Sequence, residues 1–511
     1  MVDRQNRIND LNECIKNHVG NMNSWSNSCQ LRPSNDFGCG VFAIRDIKPN
    51  ELLFEDKPLM LGPTGNKYEP IVCVICYEKI ENDVHLNLCP RQCGLILCRG
   101  KSVCAEQHLA ECELLQKWKP KNPNELSFKK LRAVNVIRSL FLSEKEKNFL
   151  ELMQKNFVSL ENEIFFNDEF ENFPEDKETL VALRSASAAI NTNAFKVLYR
   201  CGDDDDENLT DGRDVSVTGF YPVKSLINHK CSPNTRHDID KHFVGRVLAS
   251  RPIKKDEQIF ISYSQLLWGT NSRRMHMIVS KQFRCECERC IDPTENSTNL
   301  SAIQCADKNC TAGLVLPIEP LDFRSPAKCN CCGKICENRR FLQTHELAAT
   351  ITRNFTSTKF TLAELEQFFE ARLYKLVPEC SQFVVECKLK AAKHMPSNCQ
   401  GINVALVFHH MKCDPLHLNL DLYKIKSYCE DILRILNRLN VGECSLKGFL
   451  AHKLYTVRKK LKNFSEILQN DSDNSQISSI DFLLNDDEEL WKTANVILKN
   501  VSAAPRDIFE N

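Results

Sequence analysis

Cysteine placement constrains this chain more than any other feature. There are 27 cysteines in 511 residues, and they are clustered at short spacings instead of spread along the chain. Clusters of this kind favour metal ligation over a disulfide framework. The N-terminal stretch MVDRQNRINDLNECIKNHVG has no apolar core of a secretory signal, and no window approaches about 18 uninterrupted apolar residues. The expectation is an intracellular, soluble protein with no membrane association. Its thiols would then stay reduced, and Asn-x-Ser/Thr triplets such as that at Asn208 would stay unglycosylated.

The densest cluster runs Cys73-x2-Cys76, Cys89-x3-Cys93, Cys98-x5-Cys104 and His108-x3-Cys112, eight ligand-type residues within 40 positions. Eight such ligands make two tetrahedral sites. Thiolate and imidazole suit zinc, and a site closed by four protein ligands is structural rather than catalytic. So short a segment cannot bury a core of its own, so metal binding supplies its folding energy. Further on, Cys285, Cys287 and Cys290 give three thiolates and leave a tetrahedral ion one short. Cys305-x4-Cys310 and, 18 residues later, Cys329-x2-Cys332 have the spacing of a small zinc ribbon, with Cys331 and Cys336 as competing ligands. Cys380, Cys387, Cys413 and Cys429 fall in helical patterns and read as buried small hydrophobes.

Composition excludes other classes. With 42% hydrophobic and 26% charged residues, and only 17 glycines and 20 prolines, the chain is neither disordered nor fibrous, and its length suits several domains. Lys plus Arg and Asp plus Glu are both 67, so bulk charge argues against direct DNA binding. The basic residues Lys117, Lys119, Lys121, Lys129 and Lys130 read as solvated surface rather than phosphate contacts. The stretch from Gly38 to Leu61 reads as a hairpin around Lys48, Pro49 and Asn50, and about Pro123 to Val197 reads as helical. CGDDDDENLTDGRD reads as an exposed loop, strand character returns from Phe220 to Tyr263, and from about Arg339 onward the chain reads as stacked amphipathic helices. NDSDNSQISS near Asn470 reads as a loop among them.

Four short motifs carry the chemistry: Gly38-Cys39-Gly40, Asn228-His229-Lys230-Cys231-Ser232-Pro233-Asn234, Ile261-Ser262-Tyr263, and Phe283-x-Cys285-x-Cys287-x2-Cys290. In this order they resemble a SET domain split by a MYND zinc finger, the arrangement of the SET and MYND domain protein lysine methyltransferases. The extra cysteine cluster at 305 to 332 resembles the arthropod-type members. The resemblance implies an α+β fold made of a split SET β-fold, an inserted MYND finger, a post-SET zinc site and a C-terminal α-helical, tetratricopeptide-like domain. Its segments would be an extension (1–30), the first SET part (31–66), the finger (67–115), a helical insert (116–200), the second SET part (201–270), the post-SET segment (271–295), the ribbon (296–338) and the helical domain (339–511).

The same resemblance implies interleaved finger sites, Cys73, Cys76, Cys98 and Cys104 on one ion and Cys89, Cys93, His108 and Cys112 on the other. It also supplies Cys231 as the fourth ligand with Cys285, Cys287 and Cys290. Three zinc sites are thus expected, with a fourth at the ribbon. S-adenosylmethionine is the implied cofactor, with contacts from Phe37, Gly38, Cys39, Asn193, Asn228, His229, Tyr263 and Phe283, and Tyr263 as the catalytic residue. The implied function is methylation of lysine on histone or non-histone proteins in transcriptional regulation. The rival reading is an inactive SET and MYND adaptor in transcriptional repression. The finger implies a proline-containing peptide partner, and nucleus and cytoplasm both fit.

Overall fold

Apolar residues Ile8, Leu11, Ile15 and Val19 recur at three- and four-residue spacing and fold the N-terminal extension into helix α1 (Val2–Val19), whose buried stripe packs on a later helix. The computed structural model describes residues 2–19, 23–34, 38–80, 87–99, 101–155, 164–200, 214–394, 415–470 and 484–499, with 501, 504, 505 and 508 beyond. The acidic CGDDDDENLTDGRD stretch up to residue 213, the NDSDNSQISS patch from 471 and Cys413 lie outside the described residues. Packing divides the chain into two units: Met1–Asn228 with His237–Ile259 and Asn500–Ala503, and His229–Arg236 with Phe260–Lys499 and Ala504–Asn511.

In the first unit α2 (Asn23–Ser28) leads into β1 (Cys29–Ser34), β2 (Gly38–Ala43), β3 (Leu52–Asp56) and β4 (Met60–Pro63). Helices α3 (Ser102–Gln107) and α4 (Leu109–Lys117) belong to the cysteine-rich finger. The insert supplies α5 (Phe128–Arg138), α6 (Glu144–Leu152) and α7 (Lys177–Asn193), and α1 packs on α6. Ser143 and Glu146 form a capping box on α6, and the Asp176 carboxylate accepts from Thr179 N at 2.8 Å to start α7. There follow β5 (Phe195–Arg200), β6 (Asp214–Phe220), β7 (Asn228–His229), β8 (Thr235–Ile239) and β9 (Gly245–Ala249).

The expected hairpin does not form. β2 pairs antiparallel with β1, β3 pairs with β9, and the chain between them is pinned instead by an Ile47–Ile253 bridge. The Lys48 to Asn50 turn exists, with Asn50 at φ 63°, but the connection is longer than the two to five residues that tie neighbouring strands, so each strand pairs with a distant one. The helical reading also runs too far. Phe195–Arg200 is a strand on β6, because Val197 and Tyr199 alternate inward with exposed Lys196 and Leu198 at a period of two. Its inner face joins Val215, Val217, Tyr77 and Tyr221 in one core. Lys130 is not solvated surface either: it is buried, and Nζ donates to Lys121 O at 2.7 Å.

A second buried lysine sits in this unit. Lys224 follows β6, its backbone N–H donates to Asp56 at 2.7 Å, and Nζ lies 3.9 Å from the Phe195 ring centre and 4.0 Å from that of Tyr221. Nζ has no hydrogen-bond acceptor among the described residues, although Asp56 and Asp238 lie near enough to stabilise its charge. Burial pulls its pKa down to about 7. The folded pKa thus lies below the unfolded value of about 10.4, so the cost of burial is full below pH 7 and fades as pH rises to that value. Lys224→Met is therefore expected to raise the unfolding free energy read from urea titration by about 1–3 kcal/mol at pH 7 and by less at pH 10. A variant less stable at both pH values would show that the aromatic and carboxylate contacts outweigh burial.

In the second unit β10 (Phe260–Ile261) precedes α8 (Thr270–His276), a π-helical turn (Met277–Lys281) and α9 (Glu288–Ile291). An antiparallel meander of β11 (Ile303–Gln304), β12 (Leu314–Pro317), β13 (Ala327–Cys329) and β14 (Ile335–Cys336) comes next. The chain then runs through α10 (Asn338–Thr356), α11 (Leu362–Ala371), α12 (Gln382–His394), α13 (Pro415–Arg438), α14 (Ser445–Asn470) and α15 (Leu484–Leu498). Helices α12 to α15 pack in succession around Val384, Ile425, Ile432, Leu436 and Leu454. Among the described residues no helix is long and apolar enough to cross a membrane.

Candidate active site and metal centres

Four groups of ligand atoms converge: Cys73, Cys76, Cys98 and Cys104; Cys89, Cys93, His108 and Cys112; Cys231, Cys285, Cys287 and Cys290; and Cys305, Cys310, Cys329 and Cys332. Sulfur–sulfur distances include 3.6 Å for Cys76–Cys98, 3.7 Å for Cys89–Cys112, 3.8 Å for Cys231–Cys285 and 3.7 Å for Cys310–Cys329. Tetrahedral zinc with bonds of about 2.3 Å needs sulfurs about 3.8 Å apart, whereas a disulfide needs about 2 Å. Every described cysteine is a free thiol. The residues fit zinc at all four places.

Local sequence explains the convergence. At the ribbon, a Cβ on Gly313 would stand 2.4 Å from Cys329 Sγ and 2.5 Å from Cys310 Sγ, so only glycine lets the strand pass the sulfurs. Cys331 donates its N–H to Cys329 Sγ at 3.4 Å while its side chain is exposed, and Cys336 Sγ points to Glu337 O, so Cys332 completes the group. In the finger, His108 turns Nε2 to Cys93 Sγ at 3.1 Å and Nδ1 to Glu111 at 3.3 Å. Arg138 of α5 holds Glu111 and also donates to Tyr77 Oη and Val74 O, both at 2.9 Å. A carboxylate behind a ligating histidine fixes its ring and raises its basicity.

Crowded thiols also need a cation electrostatically. Hydrogen bonds from Cys285, Cys287 and Cys290 hold the Cys231 thiol far below the usual range, and that same sharing holds Cys285 far above it. Four thiolates at van der Waals distance repel, so the set is fully ionised only around a dication.

The post-SET cluster is wired to Tyr263 through one ring. His229 Nδ1 accepts the Tyr263 N–H at 2.9 Å, so Nε2 carries the proton and donates to Cys231 Sγ at 3.2 Å. The imidazole thus joins a metal ligand to the backbone of the predicted catalytic residue, and its side chain is fully used. Tyr263 lies 5.3 Å from the His229 ring and 6.4 Å, edge-on, from Phe283, over Cys231, Cys285, Cys290 and Met277. Lys230 N donates to Ile261 O at 3.0 Å and Phe260 N to Asn234 at 2.8 Å, which fixes the Asn-His-x-Cys loop on the strand leading to Tyr263.

The other predicted cofactor residues lie in the first unit. Asn228 Nδ2 donates to Cys39 O at 2.7 Å. A Cβ on Gly40 would collide with Gln258 Nε2 at 2.1 Å and Asn228 Nδ2 at 2.9 Å, and Gly38 sits at φ 75°. Both glycines of Gly38-Cys39-Gly40 therefore have a backbone reason. Asn193 ends α7 and donates to Ala189 O at 2.7 Å and Gln154 O at 2.8 Å, so its amide protons are engaged. Phe37 lies outside the described residues.

Sequence reasoning missed the clamp around the post-SET cysteines. Arg273, Arg289 and Glu295 are each buried; Glu295 pairs with both guanidiniums, and Arg273 also donates to Cys290 Sγ at 3.6 Å. Arg289 donates to Leu266 O and Trp268 O at 2.9 Å, and Arg274 donates to Cys285 O at 3.1 Å and Leu321 O at 2.6 Å. These residues read as polar surface in the sequence because no hydrophobic period marks buried charge.

A family model described as SET domain matches residues 38–264. The class is therefore a SET-domain protein, here with two zinc-type clusters inserted within the matched segment and further ligand cysteines after it. The SET domain-containing protein SmydA-8, isoform B, of Drosophila melanogaster is 29% identical over 452 residues, 87% of this chain and 94% of that protein. Histone-lysine N-methyltransferase SMYD3 of Mus musculus is 26% identical over 277 residues, 50% of this chain and 59% of its own. The chain is thus similar over most of its length to the fly SmydA-8 protein and over about half of it to SMYD3. A crystal structure of the SET domain of LSMT bound to lysine and AdoHcy covers 99% of this chain and 91% of its own at 12% identity, with a TM-score of 0.26, too low to build on.

Proposed function

We propose that this chain is an S-adenosylmethionine-dependent protein lysine N-methyltransferase acting on histone or non-histone proteins. The observation that carries this reading is the His229 relay, which sets Tyr263, at the end of the matched SET domain, beside Phe283 on the zinc-type cluster that follows it. Relatives named as lysine methyltransferases support it.

S-adenosylmethionine supplies a methyl group on a sulfonium, ready for in-line displacement. The chain's task is positioning: by the family resemblance Gly38, Cys39 and Asn228 are the candidate cofactor contacts of the first unit, and Phe283 and the main chain of His229, whose imidazole is engaged, are those of the second. The acceptor amine must be neutral, which desolvation promotes, and the Tyr263 hydroxyl would orient its lone pair. Exposed Val103 of α3 and Leu109 of α4 give the finger an apolar surface that would suit a proline-containing peptide.

Calorimetric titration of the zinc-replete protein with S-adenosylmethionine tests the reading, and saturable binding is the expected result. Tyr263→Phe should keep its zinc and bind the cofactor, yet lose about 10²-fold or more of turnover on lysine substrates. Absent cofactor binding by the intact protein, or undiminished turnover in the variant, would overturn it.

A further inference from the structure

The helix before the post-SET cysteines does not end in an α-turn. Met277–Lys281 winds as a π-turn, and Gln282 follows at φ 58°, in the left-handed region. Such π-bulges occur preferentially at functional sites, where they redirect a side chain, and a left-handed non-glycine residue persists only where its surroundings enforce it. The π-turn ends on Lys281. This residue is half-buried, and its Nζ lies 5.6 Å from the centre of the Tyr263 ring. The Tyr263 face is bordered by His229 and Phe283, and His276 lies one turn before Ser280, whose hydroxyl is 3.3 Å from its Nε2. Burial holds the Lys281 amine below the usual lysine range, which raises the share of neutral, nucleophilic amine.

We propose that Lys281 is itself a methyl acceptor: the chain methylates this lysine within its own site. The inference rests on the methyltransferase reading and names a substrate for it. The Lys281 Nζ lone pair would form the N–CH3 bond, the C–S bond of the sulfonium would break with its electron pair going to sulfur, S-adenosylhomocysteine would leave, and the methylated ammonium would release its proton to water. No further reactant is required. As an acceptor beside Tyr263, Lys281 would compete with added substrates until it is methylated.

The full-length, zinc-replete protein is incubated with S-adenosylmethionine and digested for mass spectrometry, in parallel with a lysine peptide mixture as external acceptor. The expected result is an increment of about 14 Da or its multiples on Lys281, with a first-order rate constant independent of protein concentration and reduced at least tenfold in Tyr263→Phe. A second readout needs no turnover: formaldehyde and borohydride label amines chemically, and saturating S-adenosylhomocysteine should slow labelling of Lys281 but not of exposed Lys254. Lys281→Met should retain cofactor binding by calorimetry. Cofactor binding with methylation of the peptides but none on Lys281 would overturn the inference and leave the enzyme reading intact. Failure to bind the cofactor would overturn both. A methyl on Lys281 that forms equally fast in Tyr263→Phe, or with a first-order rate constant that rises in proportion to protein concentration, would also refute the intramolecular assignment.

Discussion

Cys231→Ser is expected to release one zinc per chain and to abolish methyl transfer together with much of the cofactor affinity. Both losses follow from one sulfur. Cys231 is a member of the group with Cys285, Cys287 and Cys290, and it accepts the Nε2 proton of His229, whose other nitrogen holds the Tyr263 N–H. A structural zinc contributes about 10–16 kcal/mol of apparent binding energy that is also folding energy, so a missing thiolate weakens the whole post-SET segment. Serine is nearly isosteric but is a poor zinc ligand at neutral pH, so the change removes the metal more than the packing. Zinc measured by metal-release titration, with calorimetry on the same sample, checks both halves. A ribbon variant, Cys310→Ser, should also lose one zinc while keeping cofactor binding, which separates the His229 relay from general zinc loss. A Cys231→Ser protein that kept its zinc and its cofactor affinity would remove this residue from the metal centre.

The second large effect is expected at Glu295. Its carboxylate is buried between Arg273 and Arg289 and also accepts from Ser301 Oγ at 2.6 Å and Thr270 N at 3.2 Å. Glu295→Gln keeps the shape but leaves two buried guanidiniums without a counter-charge. Removing one partner of a buried pair costs about 3–5 kcal/mol, far more than the net value of the pair itself. Glu295, Asn296, Ser297 and Asn299 all hold positive φ, at 52°, 57°, 61° and 56°, and this strained loop lies where the clamp grips it. Loss of the clamp should therefore lower the urea midpoint and loosen the post-SET cysteines through Arg273 and Cys290. A midpoint unchanged within about 1 kcal/mol would mean that desolvation of the three charges already cancels their attraction.

Much of the site was legible because zinc ligation is written in local spacing. Two cysteines a few residues apart can meet one ion whatever the rest of the chain does, so the candidate ligands of the finger and ribbon can be read from the sequence, whereas the resemblance supplied the finger's grouping and the structure chose Cys332 over Cys331 and Cys336. The four ordered motifs were legible for a similar reason: glycines where a Cβ would strike Gln258 and Asn228, and a tyrosine that closes a strand, are demands of immediate backbone geometry. The amphipathic C-terminal helices likewise announced themselves by period.

Long-range relations were not legible. β2 and β3 look like one hairpin until their true partners, β1 and β9, are seen, because strand pairing depends on which apolar faces meet in space. The buried charges were hidden for the same reason. Arg273, Arg289, Glu295, Lys130 and Lys224 are written in the same letters as surface residues, and only the fold shows which carboxylates, carbonyls and rings compensate them. From the sequence by itself came the candidate metal-ligating residues, through residue type and local spacing, while their grouping and the class of chemistry came from the resemblance that the ordered motifs carry. Tertiary structure alone decided how His229 joins Cys231 to Tyr263 and where Lys281 points, because those contacts depend on ring orientation and backbone turns that no spacing records.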